Sequence, residues 1–162
     1  MGDELVKRVL FVCLGNICRS PLGEGIFRHL VEARGLSDAF EIDSAGTGGW
    51  HAGELPDPRS IEVARSHGID LTAQRARKFL PADLNRFDVV MAMDHSNLRD
   101  IRARAPQGAT AEVGLLLDEL SDPPTREVPD PYYGGPNGFE HVYQLVYGAC
   151  EVLLDRLDEG RP

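Results

Sequence analysis

Four consecutive apolar residues, Val9-Leu10-Phe11-Val12, run without a break into Cys13-Leu14-Gly15-Asn16-Ile17-Cys18-Arg19-Ser20-Pro21. The apolar run reads as a buried strand and the residues from about 18 onward as a helix. A thiol therefore stands at a strand's end, and an arginine six residues later opens the helix. In an α/β sheet, the loop leaving the carboxyl end of a strand is where ligands are bound.

Each residue type in this loop answers a demand of anion chemistry. The peptide N–H groups of a tight loop running into a helix start, here Leu14, Gly15, Asn16, Ile17, Cys18 and Ser20, converge on one point, and the helix dipole adds to their field. Such a field lowers a cysteine pKa from ~8.5 into a range of ~3.5–7.5, which makes Cys13 a candidate thiolate nucleophile. Arg19 offers a planar fork to two phosphoryl oxygens. Gly15 and Asn16 tolerate the positive φ that such a loop requires. Ser20 brings a hydroxyl close to the thiol, and Pro21 suits a first helical turn. The competing reading is a buried cysteine that merely ends a core strand. Thiolate attack on a phosphate monoester accounts for the whole string, whereas burial accounts only for the cysteine.

Strand-like and helix-like periods alternate along the chain. Strands are expected at ~5–13, ~39–44, ~87–92 and ~111–117, and helices at ~18–34, ~59–67, ~95–104 and ~138–158. This repeated βα pattern predicts an α/β fold: a parallel sheet with helices on both faces and the phosphate-binding loop after the first strand. With 162 residues, 42% of them hydrophobic, the chain is expected to form one domain, 1–162. Pro- and Gly-rich loops fall at ~46–58 and ~122–138.

The formal charge of −9 argues against nucleic acid as a partner. The basic cluster Arg75-Ala76-Arg77-Lys78 reads as a solvated turn. No apolar run is long enough to span a bilayer and no cleavable leader is evident, so no membrane role is expected. Three cysteines do not make a secreted disulfide framework, which points to a reducing cytoplasm. His29, His51, His67, His95 and His141 lack metal-ligand spacing and read as solvated or capping residues; neither metal nor cofactor is expected.

Expulsion of an alkoxide or phenoxide from phosphorus is faster with a proton donor. Three Asp-Pro pairs are candidates: Asp57-Pro58 reads as a helix cap, Asp122-Pro123 as a turn, and Asp130 stands in Pro129-Asp130-Pro131-Tyr132-Tyr133-Gly134-Gly135. Tyr132 and Tyr133 can wall one side of a slot and Trp50 the other, a fit for the flat ring of phosphotyrosine.

These residues resemble the low-molecular-weight protein tyrosine phosphatases nearly throughout the chain. Cys13 to Pro21, Asp43-Ser44-Ala45-Gly46-Thr47, Met93-Asp94-His95-Ser96-Asn97-Leu98 and Asp130-Pro131-Tyr132-Tyr133-Gly134 carry the likeness. It implies a four-stranded sheet and a metal-independent, two-step reaction through a phosphocysteine. Cys13 would be nucleophile, Arg19 the phosphate clamp, and Asp130 first general acid and then general base. Asn16 and Ser44 would hold the loop backbone, Ser20 would assist the departure of Cys13, and Trp50, Tyr132 and Tyr133 would line the slot. Asp94 and Ser96 would support the loop or simply cap the helix that begins there. Cys18 would close a protective disulfide with Cys13 on oxidation, while Cys150, on the apolar stripe of the last helix, reads as core.

Ile17, where relatives acting on phosphoarginine tend to carry threonine, favours a phosphotyrosine leaving group. Gln74 departs from the histidine of many bacterial relatives and puts one supporting hydrogen bond in doubt. The expected partners are phosphotyrosine proteins and a cognate tyrosine kinase, with the phosphatase itself a monomer. Two rivals remain. An arsenate reductase on the same fold would need resolving cysteines, which residues 80–95 do not supply. A phosphocysteine-bearing carrier would have no use for Asp130.

Overall fold

The computed structural model describes residues 6–133 and 137–159. Position 5, the expected start of the first strand, lies outside them. Four parallel strands form one sheet: β1 (Lys7–Cys13), β2 (Phe40–Gly46), β3 (Val89–Ala92) and β4 (Glu112–Leu115). Their order is β2-β1-β3-β4, so the strand ending in Cys13 is central. Central position explains its sequence: with neighbours on both edges and side chains buried on both faces, β1 is continuously apolar rather than alternating.

The helices are α1 (Arg19–Ala33), α2 (Pro58–Ser66), α3 (Asp83–Arg86), α4 (His95–Ala103) and α5 (Gly138–Glu159). Alternate residues of β1 feed two separate cores. Val9, Phe11 and Cys13 face α1, α2 and α5, packing with Leu22, Phe27, Val63 and Val146. Leu10 and Val12 face α3 and α4, packing with Leu84, Leu98 and Ile101. The larger core holds a run of aromatic edges, Phe11 to Phe27 at 5.7 Å and Phe27 to Phe40 at 5.6 Å between ring centroids. Burying a side chain such as Phe27 stabilises the fold by about 1.5–3 kcal/mol.

Two details depart from expectation. β4 stops at Leu115, and Leu116–Glu119 form a 3₁₀ turn instead of continuing the strand to 117. Leu116 and Leu117 are both fully buried, and burying consecutive residues on one side of the sheet takes a helical turn. The short helix α3 has no apolar period to announce it. It is fixed by polar groups: buried Asp83 accepts from Leu80 N at 2.8 Å and pairs with Arg77 at 3.0 Å.

Candidate active site

The loop from Cys13 to Arg19 is held open by neighbours far away in the chain. β1 and β2 are in register so that Cys13 lies opposite Gly46. Beyond that pair the backbone continues as a clamp, with Thr47 N donating to Cys13 O and Gly48 N to Leu14 O, both at 2.9 Å. Asn16 has φ of 57°, the only positive φ among the described non-glycine residues. Its side chain compensates for that conformation. Arg77 N can only donate, so it fixes Asn16 Oδ1 as the acceptor at 3.0 Å. Asn16 Nδ2 then donates to Ser20 Oγ at 2.8 Å and Ser44 Oγ at 3.0 Å. Ser44 passes its own hydrogen to Glu24 Oε1 at 2.7 Å. Ser20 Oγ lies 3.0 Å from the Cys13 sulfur, a contact in which either group can donate, and 3.5 Å from Ala45 O, which accepts from it. Burial pushes the Glu24 carboxyl above its ordinary range, against the hydrogen bonds from Ser44 and Arg28.

Arg19 opens α1, whose first turn carries no acidic side chain and whose N-cap makes no side-chain hydrogen bond. That helix end is therefore free to face an anion. The guanidinium is 3% exposed and divided in use. Nη1 donates to Asp94 Oδ2 at 2.7 Å and Val128 O at 3.0 Å, Nη2 lies 3.8 Å from Asp130 Oδ2, and buried Nε has no hydrogen-bond partner. Burial works against its charge, yet Cys13 and Asp94 together hold the Arg19 pKa above the ordinary value. The Nε and Nη2 edge thus retains donors for two phosphoryl oxygens.

A pocket of about 240 Å³ is lined by Cys13, Leu14, Gly15, Ile17, Cys18, Arg19, Trp50, His51, Asp130 and Tyr132. Here the loop cysteine, the arginine and the aspartate meet the ring-binding candidates. Trp50 is 70% exposed and Tyr132 45%, as expected of rims rather than core. The side chain of Tyr133 lies outside the described residues. Asp130 Oδ1 accepts from Tyr132 N at 3.0 Å, which leaves Oδ2 on the Arg19 side.

Four placements revise the reading of the sequence. Asp94 is both a cap and a support: Oδ1 accepts from Asn97 N at 2.8 Å in a capping box, while Oδ2 holds Arg19. Ser96 does neither; it is exposed on the first turn of α4, where Asp94 already caps the helix, and no hydrogen bond joins it to the loop. His51 is a pocket wall and not simply a solvated side chain, its ring 3.1 Å from where a Cβ on Gly15 would lie. Gln74 does make a supporting hydrogen bond, donating to Pro21 O in the first turn of α1 at 3.0 Å.

Glu24 and Arg59 carried no assigned role in the sequence, and Arg77, read there as part of a solvated basic cluster, instead pairs with Asp43 and Asp83 and donates its backbone N–H to Asn16, because those acids and the phosphate loop close around it. Arg59, two residues after the cap Asp57, had a signal in the spacing Asp57-Pro58-Arg59, which lets a cap also pair with a first-turn cation. Cys13, Cys18 and Cys150 are all free thiols and all buried. Burial, reinforced by Asp57, Cys13 and Asp130, pushes the Cys18 thiol up to about 12. Among the described residues no cluster of three or more His, Cys, Asp or Glu side chains is arranged to hold a metal ion.

Residues 8–162 match the family model for low molecular weight phosphotyrosine protein phosphatase. A curated low molecular weight phosphotyrosine protein phosphatase from Schizosaccharomyces pombe is 52% identical over 141 residues, covering 86% of this chain and 90% of the relative. The crystal structure of YfkJ from Bacillus subtilis superimposes with a TM-score of 0.91 at 43% identity, covering 97% of this chain and 98% of that one. A protein tyrosine phosphatase from Entamoeba histolytica, crystallised with Hepes in the active site, gives 0.90 at 37% identity, with 95% and 98% covered.

Proposed function

The chain belongs to the low molecular weight phosphotyrosine protein phosphatases, a family of hydrolases, and from that premise we propose a two-step hydrolysis of phosphotyrosine on Cys13. The Cys13 thiolate attacks phosphorus, forming an S–P bond as the bond to the tyrosine oxygen breaks. Asp130 passes its proton to that oxygen and tyrosine leaves neutral. Asp130, now a carboxylate, takes a proton from water as the water oxygen attacks phosphorus. The S–P bond breaks, inorganic phosphate departs, and the Ser20 hydroxyl receives the returning thiolate charge. Arg19 and the loop N–H groups bear the charge on the phosphoryl oxygens throughout.

One observation carries this reading: Cys13, Arg19 and Asp130 converge on one pocket, with the Nε edge of Arg19 unpaired beside them. Trp50 and Tyr132 act as the walls of the ring slot. Oxidation of Cys13 to a sulfenic acid by a peroxide, followed by attack of Cys18, yields a Cys13–Cys18 disulfide and water, a reversible protected state. No helix among the described residues is long and apolar enough to cross a membrane. The proposed setting is the cytoplasm, where a monomer opposes a tyrosine kinase.

The test is steady-state hydrolysis of a phosphotyrosine and a phosphoserine peptide by reduced protein in the presence of a chelator. Wild type is expected to turn over phosphotyrosine alone, Cys13→Ser to be inactive, and Asp130→Asn to lose about 10²–10⁴-fold while still acquiring phosphate on Cys13. No turnover by folded wild type would overturn the reading, and would favour a carrier if Cys13 is still phosphorylated equally in wild type and Asp130→Asn; an Asp130→Asn variant that hydrolyses as fast as wild type would remove Asp130 as the acid.

A further inference from the structure

The proposed acid must be held over the pocket, yet it sits in a loop with little regular structure. Upstream it is anchored by Val128, whose N donates to Met93 O at 2.9 Å and whose O accepts from Arg19. Downstream, Pro131–Tyr133 make a single 3₁₀ turn. The group that reaches this turn from the phosphate loop's side is Arg59, on the first turn of α2.

Arg59 uses every edge of its guanidinium. Nε and Nη2 grip the two oxygens of Asp57 at 3.0 and 2.9 Å, and Arg59 N donates to Asp57 Oδ1 at 2.8 Å. Nη1 donates to Tyr132 O at 3.3 Å. The flat of the guanidinium lies 5.1 Å from the Tyr132 ring centroid and 4.7 Å from that of Phe139. Asp57 is itself tied to the phosphate loop, its N donating to Ile17 O at 2.8 Å, and Ser60 Oγ donates to Cys18 O at 3.2 Å. A continuous path therefore runs from Ile17 through Asp57 and Arg59 to Tyr132, whose N–H holds Asp130 Oδ1. The side chain of Arg59 is 48% exposed, and an ion pair that open contributes little to stability. Its planar fork and stacked face favour registration of two loops instead.

We propose that Arg59 is a positioning residue that sets the Asp130 carboxyl against the leaving group by clamping the Tyr132 turn to the phosphate loop. The proposal rests on Asp130 being the acid of the reaction above. Because a misplaced acid matters only where a proton is needed, the loss must depend on the leaving group. Phenyl phosphate releases a phenoxide that requires the proton; 4-nitrophenyl phosphate releases a nitrophenoxide that departs without it.

The experiment measures kcat/KM, which reports the step that expels the leaving group, on both esters for wild type, Arg59→Ala, Arg59→Lys, Asp130→Asn and the Arg59→Ala/Asp130→Asn double variant. Arg59→Ala is expected to lose about tenfold on phenyl phosphate, a part of what general acid catalysis supplies, and less than about twofold on the nitrophenyl ester. Arg59→Lys, which keeps the charge without the fork, should not restore the loss. In the Asp130→Asn background Arg59→Ala should change nothing. Equal losses on the two esters, no loss on either, or a further loss in the Asp130→Asn background would overturn the positioning role. An inactive wild type, or an Asp130→Asn variant unimpaired on phenyl phosphate, would instead overturn the mechanism on which it rests. Unchanged thermal unfolding of Arg59→Ala confirms that activity, not folding, is being read.

Discussion

Arg19 does two unlike things with one guanidinium: Nη1 holds Asp94 and Val128 O, and Nε has no partner in the fold. A lysine at this position could do only one of them. The order of such residues in the loop was legible in the sequence because each demand, for a thiol, a positive φ, a fork or a hydroxyl, is met within a few residues. Glu24 and Arg77 were not, because a carboxylate on α1 and a backbone N–H beyond α2 acquire meaning only once the chain has folded. Cys18 supplies a prediction at this scale. Its thiol, pushed up to about 12 by burial and nearby negative charge, is almost wholly protonated at neutral pH and a slow attacker. After peroxide treatment, the rate of disulfide closure followed by intact mass should rise about tenfold per pH unit between pH 7 and 9. Under excess peroxide Cys18→Ser, with no thiol to trap the Cys13 sulfenic acid, should be oxidised onward to the sulfinic acid and lose activity that thiol reductants do not restore. A closure rate independent of pH, or full recovery of Cys18→Ser, would contradict this account.

Elements meet at the site through one glycine. A Cβ on Gly46 would stand 2.8 Å from Leu14 O and 3.0 Å from Asn16 N, both backbone atoms that cannot swing aside. The end of β2 is thus pressed against the phosphate loop, and Gly46→Ala must move one or the other. The expected cost is about 1–3 kcal/mol in urea unfolding, with a larger fall in kcat/KM and weaker inhibition by inorganic phosphate. Retained activity with only a stability loss would show that the loop adapts. The βα rhythm and the register-setting apolar runs could be read before folding. The short helix α3 and the turn after β4 could not, since each is fixed by one buried polar group or by two adjacent leucines and carries no period.

At the scale of the molecule, burial has a consequence for alkaline stability. Desolvation raises the Cys18 and Tyr143 pKa values to about 12 and pushes that of Cys150 up as well. Between about pH 9 and 12 the unfolded chain releases these protons while the folded one keeps them, so stability present below pH 9 is lost as pH rises. Each such group contributes at most about 1.4 kcal/mol per pH unit. Urea midpoints should fall from pH 8 to 10.5, and Cys150→Ala should fall less steeply than wild type; parallel curves would rule Cys150 out as a cause. The parallel sheet and its two-sided core were foreseeable from the alternation of elements, because long crossovers between parallel strands lay helices on both faces; the strand order was not. The hydrogen bonds that hold Asn16 in its left-handed conformation lead to a further conclusion. Cys13 to Pro21 looks like a cassette, yet its shape is stored in Glu24, Ser44, Arg77 and Asp94, contributed by α1, β2, the segment leading to α3, and α4. Grafted alone onto another strand and helix, those nine residues would carry the chemistry's letters without the frame that makes them legible.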